Sequence, residues 1–75
     1  MKELSDLGLI AALTSLGFSS EGRRKEGQRV FFSFEDTPEL EKICDDYFNH
    51  KLMVDAFNMH MCLKQVKTSI MQTSL

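Results

Sequence analysis

The stretch Arg29 to Leu40, reading RVFFSFEDTPEL, decides the fold. Val30, Phe32 and Phe34 alternate with less apolar neighbours, the period-2 pattern of a half-buried strand. Glu35-Asp36-Thr37-Pro38 interrupts that pattern and opens a helix. Thr37 or Asp36 supplies the cap, and Pro38 suits the first helical position. Glu39 and Glu41 complement the positive end of the helix dipole. Leu40, Ile43, Cys44 and Tyr47 then fall on one helical arc, so Cys44 reads as a packed thiol.

Working back from this stretch, Lys25-Glu26-Gly27 fits a three-residue hairpin loop with Gly27 at the position requiring φ > 0. That loop sets a register in which Arg24 faces Gln28, Gly22 faces Val30, Ser20 faces Phe32 and Phe18 faces Phe34. One hairpin face then carries Phe18, Val30, Phe32 and Phe34 and belongs to the core. The other pairs Arg23 with Arg29, Glu21 with Phe31 and Ser19 with Ser33. Upstream, Ser5 is the expected N-cap, with Asp6 in the first turn. Leu9, Ile10, Leu13 and Leu16 make a helical stripe, which Gly8 weakens by about 1 kcal/mol relative to Ala. Gly17 suits the left-handed residue that ends such a helix, with Phe18 folding back on Leu13.

Working forward, Asn49-His50-Lys51 breaks the helical pattern, Leu52 to Val54 form an apolar connector, and Asp55 caps a last helix. Ala56, Met59, Leu63, Val66 and Ile70 form its core stripe. Phe57 and Met61 land on nearly the opposite face at 100° per residue, with Met71 near their edge. The expected architecture is a single small α+β domain over residues 1–75, α-β-β-α-α, an antiparallel β-hairpin packed on three helices.

Composition narrows the function classes. Seventy-five residues allow one domain with a modest core. The formal net charge of −2 provides no global basic field. The distribution is polar nonetheless: Glu21 to Arg29 carries a net +2 and Glu35 to Asp46 a net −5. The two cysteines, Cys44 and Cys62, sit inside helical patterns, which fits a reducing cytoplasm. The apolar run Leu7 to Leu16 is short and lies near Glu3 and Asp6, unlike a signal peptide. No run approaches the roughly 20 apolar residues that span a bilayer.

Candidate chemistry is sparse. A metal site would draw on Cys44, His50, His60 and Cys62, whose spacing matches no zinc pattern; His60 and Cys62 lie about 200° apart on a helix. Asp45-Asp46 near His50 reads as a solvated acidic helix, because adjacent helical positions diverge. No residue is assigned a catalytic role, no metal or cofactor is called for, and the expectation is a non-enzymatic chain. Two binding readings remain. Phe57, Met61 and Met71 offer apolar surface for a protein partner or a homodimer, and unpaired hairpin edges would add to it. Alternatively Arg23, Arg24, Lys25 and Arg29, grouped around Phe31 on the outer hairpin face, would track phosphates and stack a base of nucleic acid.

A resemblance adds to this. Ser5-Asp6-Leu7, Ala11-Ala12-Leu13, Gly17, Phe32-x-Phe34-Glu35-Asp36, Leu40, Tyr47, Val54-Asp55 and Leu63 to Lys67 occur in an order that resembles a family of small uncharacterised domains of bacteria and their phages. The resemblance spans roughly Ser5 to Lys67, and its motifs are capping and packing residues. It implies a phage or bacterial origin and a cytosolic setting, and supplies no activity. The expected function is therefore a protein-interaction module, binding a host factor or itself, with nucleic-acid binding by the hairpin as the alternative.

Overall fold

The computed structural model of the chain describes residues 1–73. Three helices and a three-stranded sheet follow in the order β1 (Lys2–Leu4), α1 (Leu7–Ser15), β2 (Gly22–Glu26), β3 (Arg29–Phe34), α2 (Pro38–Phe48) and α3 (Ala56–Thr73). The α+β class, the hairpin and the three helices are as the sequence predicts. The short strand β1 is additional. It pairs antiparallel with β3, Lys2 with Phe34 and Leu4 with Phe32, so the sheet order is β1-β3-β2. β3 is thus central, and the hairpin does not keep two open edges as expected. A free row of β3 amides and carbonyls beside a buried apolar face is satisfied most cheaply by a nearby extended segment.

The hairpin register also differs from the expected one. Glu26 pairs with Arg29, leaving the two-residue loop Gly27-Gln28. Gly27 has φ 62° and Gln28 lies outside the left-handed region, the pattern of a type II′ turn that matches strand twist. Gly22 now faces Ser33, Arg23 faces Phe32, Arg24 faces Phe31 and Lys25 faces Val30. Relative to the expected pairing the shift is odd, so β2 turns its other face to the core side of β3. Phe18 explains why. Its backbone N–H donates to the Leu13 carbonyl at 3.0 Å, closing α1, and it is unavailable to pair with Phe34. Lys2 pairs with Phe34 from the opposite edge of β3.

Each helix begins on a side-chain cap. For α1 the cap is Asp6, one residue later than expected, whose Oδ1 accepts from the Leu9 amide at 3.1 Å. Thr37 caps α2 through the Leu40 amide at 3.2 Å, and Asp55 caps α3 through the Asn58 amide at 3.1 Å. The ends of α1 and α2 share one geometry. At α1 the Gly17 and Phe18 amides return to the Thr14 and Leu13 carbonyls; at α2 the His50 and Lys51 amides return to those of Tyr47 and Asp46. The left-handed residue is Gly17 in one (φ 99°) and His50 in the other (φ 60°).

The core lies between the inner face of the sheet and the helices. Val30, Phe32 and Phe34 meet Leu9, Ile10, Leu13, Leu40, Cys44 and Val66. Five consecutive residues of α1, Leu9 to Leu13, are no more than 1 % exposed, so this helix is covered on all sides. Its most extensive helical contact is with α3, and the small side chains of Ala11 and Ala12 permit close approach. Phe18 packs half-buried against this core and turns back on Leu13, both as expected, but without joining the sheet.

Candidate functional site

α3 divides cleanly by face. Cys62 and Val66 are buried, and Met59, Leu63 and Ile70 are half-buried towards the core. Asn58 ties the start of α3 to the end of α1, its Nδ2 donating to the Ser15 carbonyl at 3.1 Å. On the opposite side Phe57 is 74 %, Met61 40 % and Met71 70 % exposed. The structure therefore puts the three sequence-predicted interface residues together on the outward side of one helix. Ala56, expected in the core stripe, is exposed, and Cys62 takes the buried place.

Two further residues join this face. Lys64 and Thr68 are exposed and complete the series Phe57, Met61, Lys64, Thr68, Met71. The alternating steps of four and three keep all five within about 40° of a common line along the helix. The signal was present in the spacing but hidden by the mixed polarity of the series. Lys67 lies on the flank, also exposed, and α3 carries no acidic residue from Ala56 to Thr73. Arg23 on β2 donates to Ser69 Oγ, which adds a guanidinium beside the same helix.

The basic hairpin is divided, contrary to the expected grouping. Arg24 and Arg29 share the outer sheet face with Phe31, whereas Arg23 and Lys25, paired with Phe32 and Val30, lie on the other side of the β2 ribbon. Arg24 is already engaged. Its Nε and Nη2 donate to Glu3 at 2.8 and 3.0 Å, and its Nη1 to Glu26 at 2.6 Å. Its guanidinium also stacks 4.5 Å from the centre of the half-buried Phe31 ring. Hydrogen bonding to Arg24 is the largest influence on Glu3 and holds its carboxyl below the usual range; the two carboxylates in turn raise the Arg24 pKa. Glu3 on β1 and Arg24 on β2 thus clamp the sheet across β3.

Of the remaining candidates Cys44 and Cys62 are buried, and His50 and His60 are exposed. Burial pushes the Cys44 thiol up, the direction of an inert packed cysteine. Among the described residues no three His, Cys, Asp or Glu side chains gather as a metal site. His50 borders a cavity of about 200 Å³ with Tyr47, Leu52 and Met59, and neither Asp45 nor Asp46 lines it. A cleft of about 440 Å³, open to solvent, lies at the hairpin end between Leu7, Val30, Arg29 and Ile70. No helix among the described residues is long and apolar enough to cross a membrane.

No curated protein and no solved structure matches the chain. A family model described as a domain of unknown function (DUF5659) matches residues 3–72. With nearly all of its length matched, from β1 through the exposed face of α3, the chain belongs to the DUF5659 family.

Proposed function

We propose that the chain is a non-enzymatic protein-interaction module that docks its partner on the outward face of α3. The observation that carries this reading is the exposure of Phe57, Met61 and Met71 on a helix whose opposite side is built into the core. Aromatic and methionine side chains are enriched in interfaces, and a helix anchored by its own core stripe presents them with little ordering entropy left to lose. A phage or bacterial setting would make the partner a host protein in the cytoplasm. A second copy of the chain is the other occupant of the same class.

Light scattering over a range of concentrations, together with capture from bacterial lysate, tests the reading on wild type and Phe57→Glu/Met61→Glu. Both substitutions are at exposed positions, so circular dichroism should be unchanged. The expected result is a mass above 8.6 kDa or a captured protein in wild type, lost in the variant. A wild-type chain that stays monomeric and enriches nothing the variant lacks refutes the reading. So does a variant that keeps the interaction.

Nucleic-acid binding by the hairpin is the second reading. Arg29 and Lys25 support it, being exposed and without an ion pair among the described residues. A base stacking on Phe31 would first have to displace Arg24. Titration with single-stranded and duplex DNA at low salt, with Arg23→Glu/Arg29→Glu as control, decides it, since four basic residues give a salt-sensitive contact.

A further inference from the structure

We infer that the partner recognised by α3 is an acidic amphipathic helix of another protein; this rests on the reading of that face as a docking surface. The face has the form of a helix-pairing seam. Phe57, Met61, Lys64, Thr68 and Met71 recur at the 3.5-residue average that brings side chains of one helix into the gaps of another. The eighteen residues of α3 extend over about 27 Å, enough for a partner of roughly three heptads. The apolar anchors stand at the two ends and in the first turns, with Lys64 near the middle.

Charge selects the occupant. Lys64 and Lys67 are exposed, and no acid occurs on α3 to neutralise them. A second copy fits poorly. An antiparallel pair of α3 helices placing Phe57 against Met71 would set Lys64 against Lys64 at the two-fold axis, and like charges meeting in a seam oppose pairing. An anionic membrane fits poorly as well. A helix lying on lipid keeps its cations on the flanks of a broad apolar face, whereas Lys64 stands inside the stripe. A partner helix with apolar residues towards its ends and Asp or Glu near its middle meets both the anchors and the cations.

The test is selection of a displayed library of three-heptad peptides on the full chain. Leu occupies the seam ends, and the central seam and flanking positions are varied among Glu, Gln and Lys. The expected outcome is enrichment of Glu at the centre, with affinity lost in Phe57→Glu/Met61→Glu. Lys64→Glu/Lys67→Glu should weaken the enriched peptide about tenfold or more and turn the selection towards Lys. Unchanged circular dichroism in both variants shows that the fold is retained. Enrichment of Gln or Lys peptides that still depend on Phe57 and Met61 overturns the acidic partner while leaving the docking face standing. Failure to enrich any helix, or enrichment indifferent to Phe57 and Met61, overturns both. Binding to phosphatidylserine vesicles without helix enrichment overturns the inference in favour of a lipid surface.

Discussion

Gly8 is a glycine inside a helix, and replacing it with alanine should destabilise the protein although helix propensity says the opposite. Its φ lies outside the left-handed region, so alanine meets no backbone obstacle and would gain up to about 1 kcal/mol. The obstacle is tertiary. A methyl group at Gly8 would overlap the hydroxyl oxygen of Tyr47, which donates to Asp6 Oδ1 at 3.2 Å. That same Oδ1 caps α1 at the Leu9 amide. The Tyr47 ring is half-buried and stands edge-on to Phe48 at 5.4 Å between centroids, so it moves only with repacking. Losing the hydrogen bond costs about 1 kcal/mol and the overpacking about 1–2 kcal/mol. Gly8→Ala should therefore destabilise by a net of about 1–2 kcal/mol. Removing the hydroxyl reverses the sign. The Tyr47 ring carbon is 3.5 Å from the new methyl, ordinary contact, so Gly8→Ala in a Tyr47→Phe background should stabilise by up to about 1 kcal/mol. Urea unfolding of the four proteins, followed by far-ultraviolet circular dichroism, gives the coupling directly. A stabilising Gly8→Ala in both backgrounds, with coupling below about 0.5 kcal/mol, would refute the reasoning.

The sheet clamp should respond to acid. Because Arg24 holds the Glu3 carboxyl below its ordinary value of 4.5, its contribution is full above that pH and is lost as pH falls through the lowered folded-state value. Glu3→Gln should thus lower Tm at pH 6 and by progressively less as pH falls below 4.5; an equal loss at every pH would show that the clamp is not electrostatic. The two helix ends offer an opposed pair. His50→Gly should stabilise by about 1 kcal/mol, raising Tm by about 4–8 °C, whereas Gly17→Ala should destabilise by about 1 kcal/mol or more, both measured by thermal melting. A destabilising His50→Gly would mean that the His50 side chain contributes more than its backbone strain costs.

Much of the molecule is readable residue by residue. Thr37 and Asp55 start helices through contacts with amides three positions on, Pro38 occupies a first-turn position where its missing N–H costs nothing, and Gly17 ends a helix through a conformation that only glycine adopts freely. His50 shows the limit of such reading. The pattern breaks visibly at Asn49-His50-Lys51, but no side-chain preference identifies histidine as the left-handed residue. The candidate site divides in the same way. Outward placement of Phe57, Met61 and Met71 follows from helical spacing and the opposite core stripe, whereas Lys64 and Thr68 join the seam only once the exposed face is known. The grouping of Arg23 with Arg29 and Phe31 failed because it depended on strand register.

By itself, then, the sequence determined what acts over a few positions: the three helices, the apolar faces of β3 and α3, and a hairpin turning at Gly27. Tertiary structure decided how these meet. The Phe18 amide closes α1 and removes Phe18 from the sheet, Lys2–Leu4 fills the free edge of β3, and an odd shift of register sends Arg23 towards Ser69 and Arg24 onto Phe31. Side chains alternate faces along a strand, so one residue more or less in a loop reverses every partner across it. Which loop length wins depends on segments distant in the chain, and no local preference within RVFFSFEDTPEL records them.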